Sequence, residues 1–257
     1  MLNFTAIFNI LYMVESEEVF QEGEHMHPEI TVRTAGVIDQ TQLQPDASIN
    51  DIEAFCETAS EYPFAAVCVY PVWVQSACSI LEGTGIAVCS VAGFPSGAHR
   101  TDIKIMESQK AVTDGATEID AVMNVGFLKH RLRAECKNEM KALARVCHDN
   151  GAIVKIIIET CMLSQEEKEE AAAMVIESGC DFIKTSTGFG SAGALPQDVE
   201  MLSRIAAGTG VRIKAAGGIH SLDDLVVMTK AGAHRIGTSR GMAIIQETLK
   251  KRTDREM

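Results

Sequence analysis

Eight short β-prone runs, near residues 36–39, 64–70, 86–92, 118–124, 153–159, 182–187, 212–216 and 235–238, start 22 to 35 residues apart. A strand, a loop and a crossover helix occupy about that length, so the spacing points to parallel strands joined by helices. The run at 153–158 is almost continuously apolar, as a strand covered on both faces requires. The segments between the runs carry helix starts. Ser164-Gln165-Glu166-Glu167 is a capping box, Ser221-Leu222-Asp223-Asp224 resembles one, and Pro196 suits a first helical position before Val199, Leu202 and Ile205. Eight strand signals in this order predict an α/β chain closed into a (β/α)8 TIM barrel rather than an open doubly wound sheet. No Gly-x-Gly-x-x-Gly follows an early strand, and no P-loop is present. The expected layout is an N-terminal extension over 1–34, helical in part, a barrel over 35–250 and a charged tail over 251–257.

The formal net charge of -12 comes with no basic stripe, which excludes the usual nucleic-acid partner. An anionic substrate would need a local positive site to oppose that field. The eight cysteines form no Cys-x-x-Cys pair and most lie in apolar runs, which reads as reduced, buried thiols. No Lys or Arg precedes Arg33, so the apolar start lacks the basic head of a secretion signal. No later apolar run reaches membrane-spanning length without a charge. A cytoplasmic protein without a membrane partner is expected.

Ionisable residues interrupt the apolar runs: Asp39, Asp120, Lys155, Glu159, Lys184 and Lys214. Burying a charge without a partner is costly, so such residues need a reason. Lysines on consecutive strands, each followed by small residues, fall where barrels carry active sites, at the C-terminal strand ends. A lysine attacks a carbonyl only as the free amine, while its ordinary pKa of about 10.4 keeps it charged at neutral pH. A second ammonium and partial desolvation lower that value, and Lys184 and Lys214 on neighbouring strands form such a pair. Asp120 is the candidate for the accompanying proton transfers, or else it neutralises the lysines. Lys155 and Glu159 either orient these groups or touch the reacting atoms.

Glycines follow the last three runs, in Thr187-Gly188-Phe189-Gly190, Gly217-Gly218 and Gly237-Thr238-Ser239. Backbone N–H groups at glycines and at a helix start accept an anion closely, which favours a phosphorylated substrate. The histidines are His25, His27, His99, His130, His148, His220 and His234; they form no His-Glu-x-x-His, so no metal is expected. His220 borders the glycine pair.

Several stretches together are highly specific. They are Val67-Cys68-Val69-Tyr70-Pro71, Gly93-Phe94-Pro95-Ser96-Gly97, Glu118-Ile119-Asp120, the run from Lys155 to Glu159-Thr160-Cys161, the run from Asp181 through Lys184 to Gly190, Lys214-Ala215-Ala216-Gly217-Gly218-Ile219, and Arg235-Ile236-Gly237-Thr238-Ser239. Over roughly residues 35–245 the chain resembles the deoxyribose-phosphate aldolase family of class I, Schiff-base-forming enzymes. The resemblance implies reversible cleavage of 2-deoxy-D-ribose 5-phosphate to D-glyceraldehyde 3-phosphate and acetaldehyde, with no cofactor and no metal. It implies Lys184 as the imine-forming lysine, Lys214 as its perturbing neighbour and Asp120 as the proton relay. Gly188, Gly217, Gly218 and Ser239 would surround the phosphate and Cys68 would lie near the small aldehyde. Asp39, Thr41, Lys155 and Thr185 would complete the substrate-binding set. The family also permits a homodimer or larger homo-oligomer, with the apolar prefix available as a contact.

Departures cluster in the first strand. Family members usually read Ile-Asp-His-Thr-x-Leu-Lys-Pro, where this chain has Gln40 for the His and Gln44 for the Lys. That bears on substrate affinity and range. Arg240 stands where a small residue is common and adds a candidate contact to phosphate. Two other readings fit the same residues: a Schiff-base lyase for another phosphorylated aldehyde or keto sugar, and a non-catalytic barrel that binds a sugar phosphate.

Overall fold

The computed structural model describes residues 32–256. The expected helix and subunit contact within residues 1–31 lie outside the described residues. A helical turn over 32–35 ends at Gly36, whose N–H bonds Val32 O at 2.9 Å. The first strand therefore starts later than the sequence suggests and runs over β1 (Ile38–Gln42).

The remaining strands are β2 (Ala66–Val69), β3 (Ala87–Ala92), β4 (Glu118–Val122), β5 (Ile153–Ile157), β6 (Phe182–Lys184), β7 (Arg212–Ala216) and β8 (Arg235–Thr238). All pair in parallel in chain order, and β8 returns to β1, closing the barrel. The helices are α1 (Ile49–Ser60), α2 (Val74–Ile80), α3 (Thr101–Thr113), α4 (Val125–Lys129), α5 (Arg133–His148), α6 (Gln165–Glu177), α7 (Pro196–Ala206), α8 (Leu222–Lys230) and α9 (Gly241–Glu256). Two helices, not one, join β4 to β5. The last helix carries residues 251–256 with it.

Local chemistry sets several of these ends. Ser164 and Glu167 close the capping box of α6, and Ser221 and Asp224 that of α8. A third box, Ser48 with Asp51, starts α1 and was equally readable. The sixth strand is shorter than its apolar run. Beyond Lys184 the Thr185 N–H still bonds Lys214 O at 3.1 Å, but toward Ala216 its hydroxyl takes over, donating to Ala216 O at 3.2 Å and accepting from Ala216 N–H at 3.1 Å.

Alternation along the strands divides two cores. Ile119, Ala121, Val154, Ile156, Ile183 and Ile213 belong to the layer between strands and helices. Leu43, Ala66, Cys68, Cys89 and Val91 form a smaller apolar cluster. The opposite phase of β4 to β8 carries the charges: Asp120 pairs in register with Lys155, and Lys184 with Lys214. Gly237 leaves the room they need, because a Cβ there would stand 3.1 Å from Lys214 Cε and 3.0 Å from Ala216 Cβ. Among the described residues no helix is long and apolar enough to cross a membrane.

Candidate active site

Asp120 lies at the centre of a buried ionic network. Its Oδ2 accepts from Lys184 Nζ at 2.6 Å and from Lys214 Nζ at 2.7 Å. Its Oδ1 accepts from Lys155 Nζ at 2.9 Å and from the Cys89 thiol at 3.2 Å. Lys214 also pairs with Asp39 at 2.5 Å, and Lys155 with Glu118 at 2.5 Å. Arg235 closes the network, reaching Asp39 at 2.5 Å and Glu118 at 3.0 Å. The two lysines were expected as a cationic pair; the structure adds that they share one carboxylate oxygen.

Burial pushes the Asp120 carboxyl up, but Lys155, Lys184 and Lys214 outweigh it and hold it well below the usual carboxylate range. Asp39 is likewise lowered, by Lys214, Arg235 and Lys155 against the effect of burial. Burial works to discharge Lys155 and Lys214, yet Asp120 and its fellow acids raise both above the ordinary lysine value. Lys214 is therefore a fixed cation.

These shifts set a stability profile. Asp39 and Asp120 have folded pKa values below the ordinary 3.8, so their contribution is complete above that value and lost as pH falls through the depressed ones. Lys155 and Lys214 are raised above 10.5, so theirs is complete below it and lost as pH rises through the folded values. Calorimetric scans should give a Tm that falls steeply below about pH 4 and again above about pH 10. A Tm still rising below pH 4 would contradict this.

Access separates the lysines. The side chains of Lys155 and Lys214 are 0% exposed, whereas that of Lys184 is 4% exposed and lines a cavity of about 180 Å³. The glycine loops converge on the same cavity, as the sequence suggests: Gly188, Gly217, Gly218 and Ser239 all line it, with Thr41. Gly217 is packed backbone to backbone, since a Cβ at Gly193 would lie 2.2 Å from Gly217 O. Asp39, Asp120 and Lys155 are buried in the ionic network and Thr185 is held against β7; none of these lines the cavity. Arg240 is exposed and outside the lining.

Cys68 and Cys89 face each other in register on β2 and β3, and both are buried. The Cys89 thiol hydrogen bond lowers Cys68, while burial drives Cys89 well above the ordinary thiol value. With Asp120 they bring three ligand atoms within 4.8 Å of one another. The Lys155 ammonium, 3.4 Å from Cys89 Sγ and 2.9 Å from Asp120 Oδ1, already supplies the positive charge at those donors.

The two departures separate, Gln40 within β1 and Gln44 just beyond it. Gln40 points outward, and its Oε1 accepts from Gly241 N–H at 2.9 Å at the start of α9. Gln44 lines the cavity. Sequence reasoning missed Glu118 and Arg235 as members of the ionic network. Glu118 lies two residues before Asp120, on the same face of its strand by simple alternation, which was the available signal.

A closed parallel barrel in which a buried lysine lines a glycine-bordered cavity at the strand ends is the architecture of a barrel aldolase. The chain belongs to the DeoC/LacD family of aldolases, whose model matches residues 34–251. It is 44% identical over 214 residues to a deoxyribose-phosphate aldolase of Malacoplasma penetrans, covering 83% of this chain and 95% of that one. A deoxyribose-phosphate aldolase of Aciduliprofundum boonei is 47% identical over 212 residues, covering 82% and 95%. Among solved structures, the tetrameric deoxyribose phosphate aldolase of Aeropyrum pernix superposes with a TM-score of 0.80 at 31% identity, covering 86% of this chain and 93% of that one.

Proposed function

We propose that this chain is a class I aldolase that reversibly cleaves 2-deoxy-D-ribose 5-phosphate to D-glyceraldehyde 3-phosphate and acetaldehyde through an imine on Lys184. The observation that carries the reading is that Lys184 alone among the clustered lysines lines the cavity it shares with the glycine loops. Counting charges supports it. Lys155, Lys184, Lys214 and Arg235 face Asp39, Glu118 and Asp120, which leaves one positive charge in excess. Lys184 has a single carboxylate partner, shared with Lys214, so the amine form of Lys184 balances the network.

The reaction follows from that balance. The Lys184 amine attacks the C1 aldehyde, and loss of water gives the iminium. Asp120 is the relay, and its basicity rises once Lys184 gives up its charge. Removal of the proton on O3 breaks C2–C3, releasing glyceraldehyde 3-phosphate and leaving an enamine. Protonation at C2 and hydrolysis release acetaldehyde and restore the amine. Gly188, Gly217, Gly218 and Ser239 receive the phosphate, with Thr41 and Gln44 along the sugar.

Coupled detection of glyceraldehyde 3-phosphate from deoxyribose 5-phosphate tests the reading. Steady turnover is expected. A folded protein without turnover at high enzyme concentration would contradict it. We further propose a homodimer or larger assembly in the cytoplasm, supported by the tetrameric Aeropyrum pernix relative and by eight free thiols. Light scattering should give more than the monomer mass; a monomer at every concentration would refute the assembly.

A further inference from the structure

Directly after β5 the backbone places Glu159 at φ 53°, ψ 68°, in the left-handed region that a side-chain-bearing residue enters at a cost. Its neighbours stay tied to the sixth strand: Ile158 N–H donates to Lys184 O at 3.0 Å and Thr160 N–H to Thr185 O at 2.9 Å. The left-handed residue between these bonds sends a carboxylate, 3% exposed, into the loop that follows β6. There Glu159 Oε2 accepts from the Thr187 hydroxyl at 2.5 Å and from Thr187 N–H at 3.3 Å. Thr187 Oγ1 in turn accepts from Phe189 N–H at 3.0 Å. The two links bracket Gly188, which lines the cavity. Gly190 is fitted to the same carboxylate, since a Cβ there would stand 3.2 Å from Glu159 Oε1 and 2.7 Å from Cys161 Sγ.

A strained backbone and a buried carboxylate are both costs, and here both serve one short loop rather than the ionic network. We propose that Glu159 is a positioning residue for the anionic end of the substrate, holding residues 187–189 so that Gly188 forms the wall where phosphate docks. This rests on the reading of the glycine loops as the phosphate site. Glu159 touches neither Lys184 nor the reacting atoms; it acts through Thr187. Gln keeps an oxygen that accepts from Thr187, whereas Ala leaves both Thr187 donors without it.

The test uses the full chain, inorganic phosphate as the probe in calorimetry, and acetaldehyde with borohydride as a separate readout of the lysine. Glu159→Ala is expected to weaken phosphate binding roughly tenfold or more, the scale of a lost hydrogen bond to a charged group. Glu159→Gln should recover most of it, and the acetaldehyde adduct should fall far less than phosphate affinity does. Thr187→Val removes the hydroxyl from the other side of that link, together with the acceptor for Phe189 N–H, and should also weaken phosphate, which decides the matter if Glu159→Ala does not fold. Wild-type phosphate affinity in Glu159→Ala or in Thr187→Val would overturn the proposal. So would parallel losses of both readouts with no recovery in Glu159→Gln, or a wild-type chain that binds no phosphate. A wild-type chain that binds phosphate but forms no adduct would instead overturn the aldolase reading and leave the Glu159 comparison to stand on phosphate alone.

Discussion

Replacing Lys184 by Leu is expected to abolish both turnover and imine formation, with a loss on the order of 10⁴-fold or more, as for removal of a covalent nucleophile. The fold should survive. Lys184 is the most accessible lysine of the ionic network, and without it Lys155, Lys214 and Arg235 balance Asp39, Glu118 and Asp120 one for one. Deoxyribose 5-phosphate should still bind, because the glycine wall is untouched. Residual turnover within tenfold of wild type would place the nucleophile elsewhere.

Lys214→Leu should act differently, through charge rather than through a missing nucleophile. Removing that fixed cation leaves three cations on three carboxylates with Lys184 protonated, so the ammonium becomes the balanced form. Turnover at neutral pH is expected to fall on the order of 10²-fold and to recover as pH rises, because more alkaline solution is needed to free the amine. The variant also loses two buried ion pairs, to Asp39 and Asp120, and breaking such a pair costs about 3–5 kcal/mol. Folding must therefore be checked at each pH. A defect of equal size across the pH range would mean that Lys214 contributes contact or stability and not charge.

The barrel was legible because its evidence is repetitive. Apolar runs recur every 22 to 35 residues with helix signals between them, and a mistake at one strand end, as at Gly36 or Thr185, leaves the topology unchanged. Lys184, Lys214 and Asp120 were legible because a charge in a dry strand is rare enough to demand a partner. Which charges pair was not. Arg235 reaches Asp39 across 196 positions of the chain and Glu118 across 117, a proximity created only by closing β8 onto β1. Nor could the spacing tell that Gln40 faces a helix while Gln44 faces the cavity. The choice of Lys184 over Lys214 also needed more than pattern, since both sit in matching register, and side-chain access is what now distinguishes them.

The account turns on that choice, and trapping the imine tests it most directly. The wild-type protein is incubated with acetaldehyde, reduced with borohydride, digested and mapped by mass spectrometry. The reduced ethyl adduct is expected on Lys184, with Lys155 and Lys214 unmodified. An adduct on Lys214 with Lys184 left free would contradict the account.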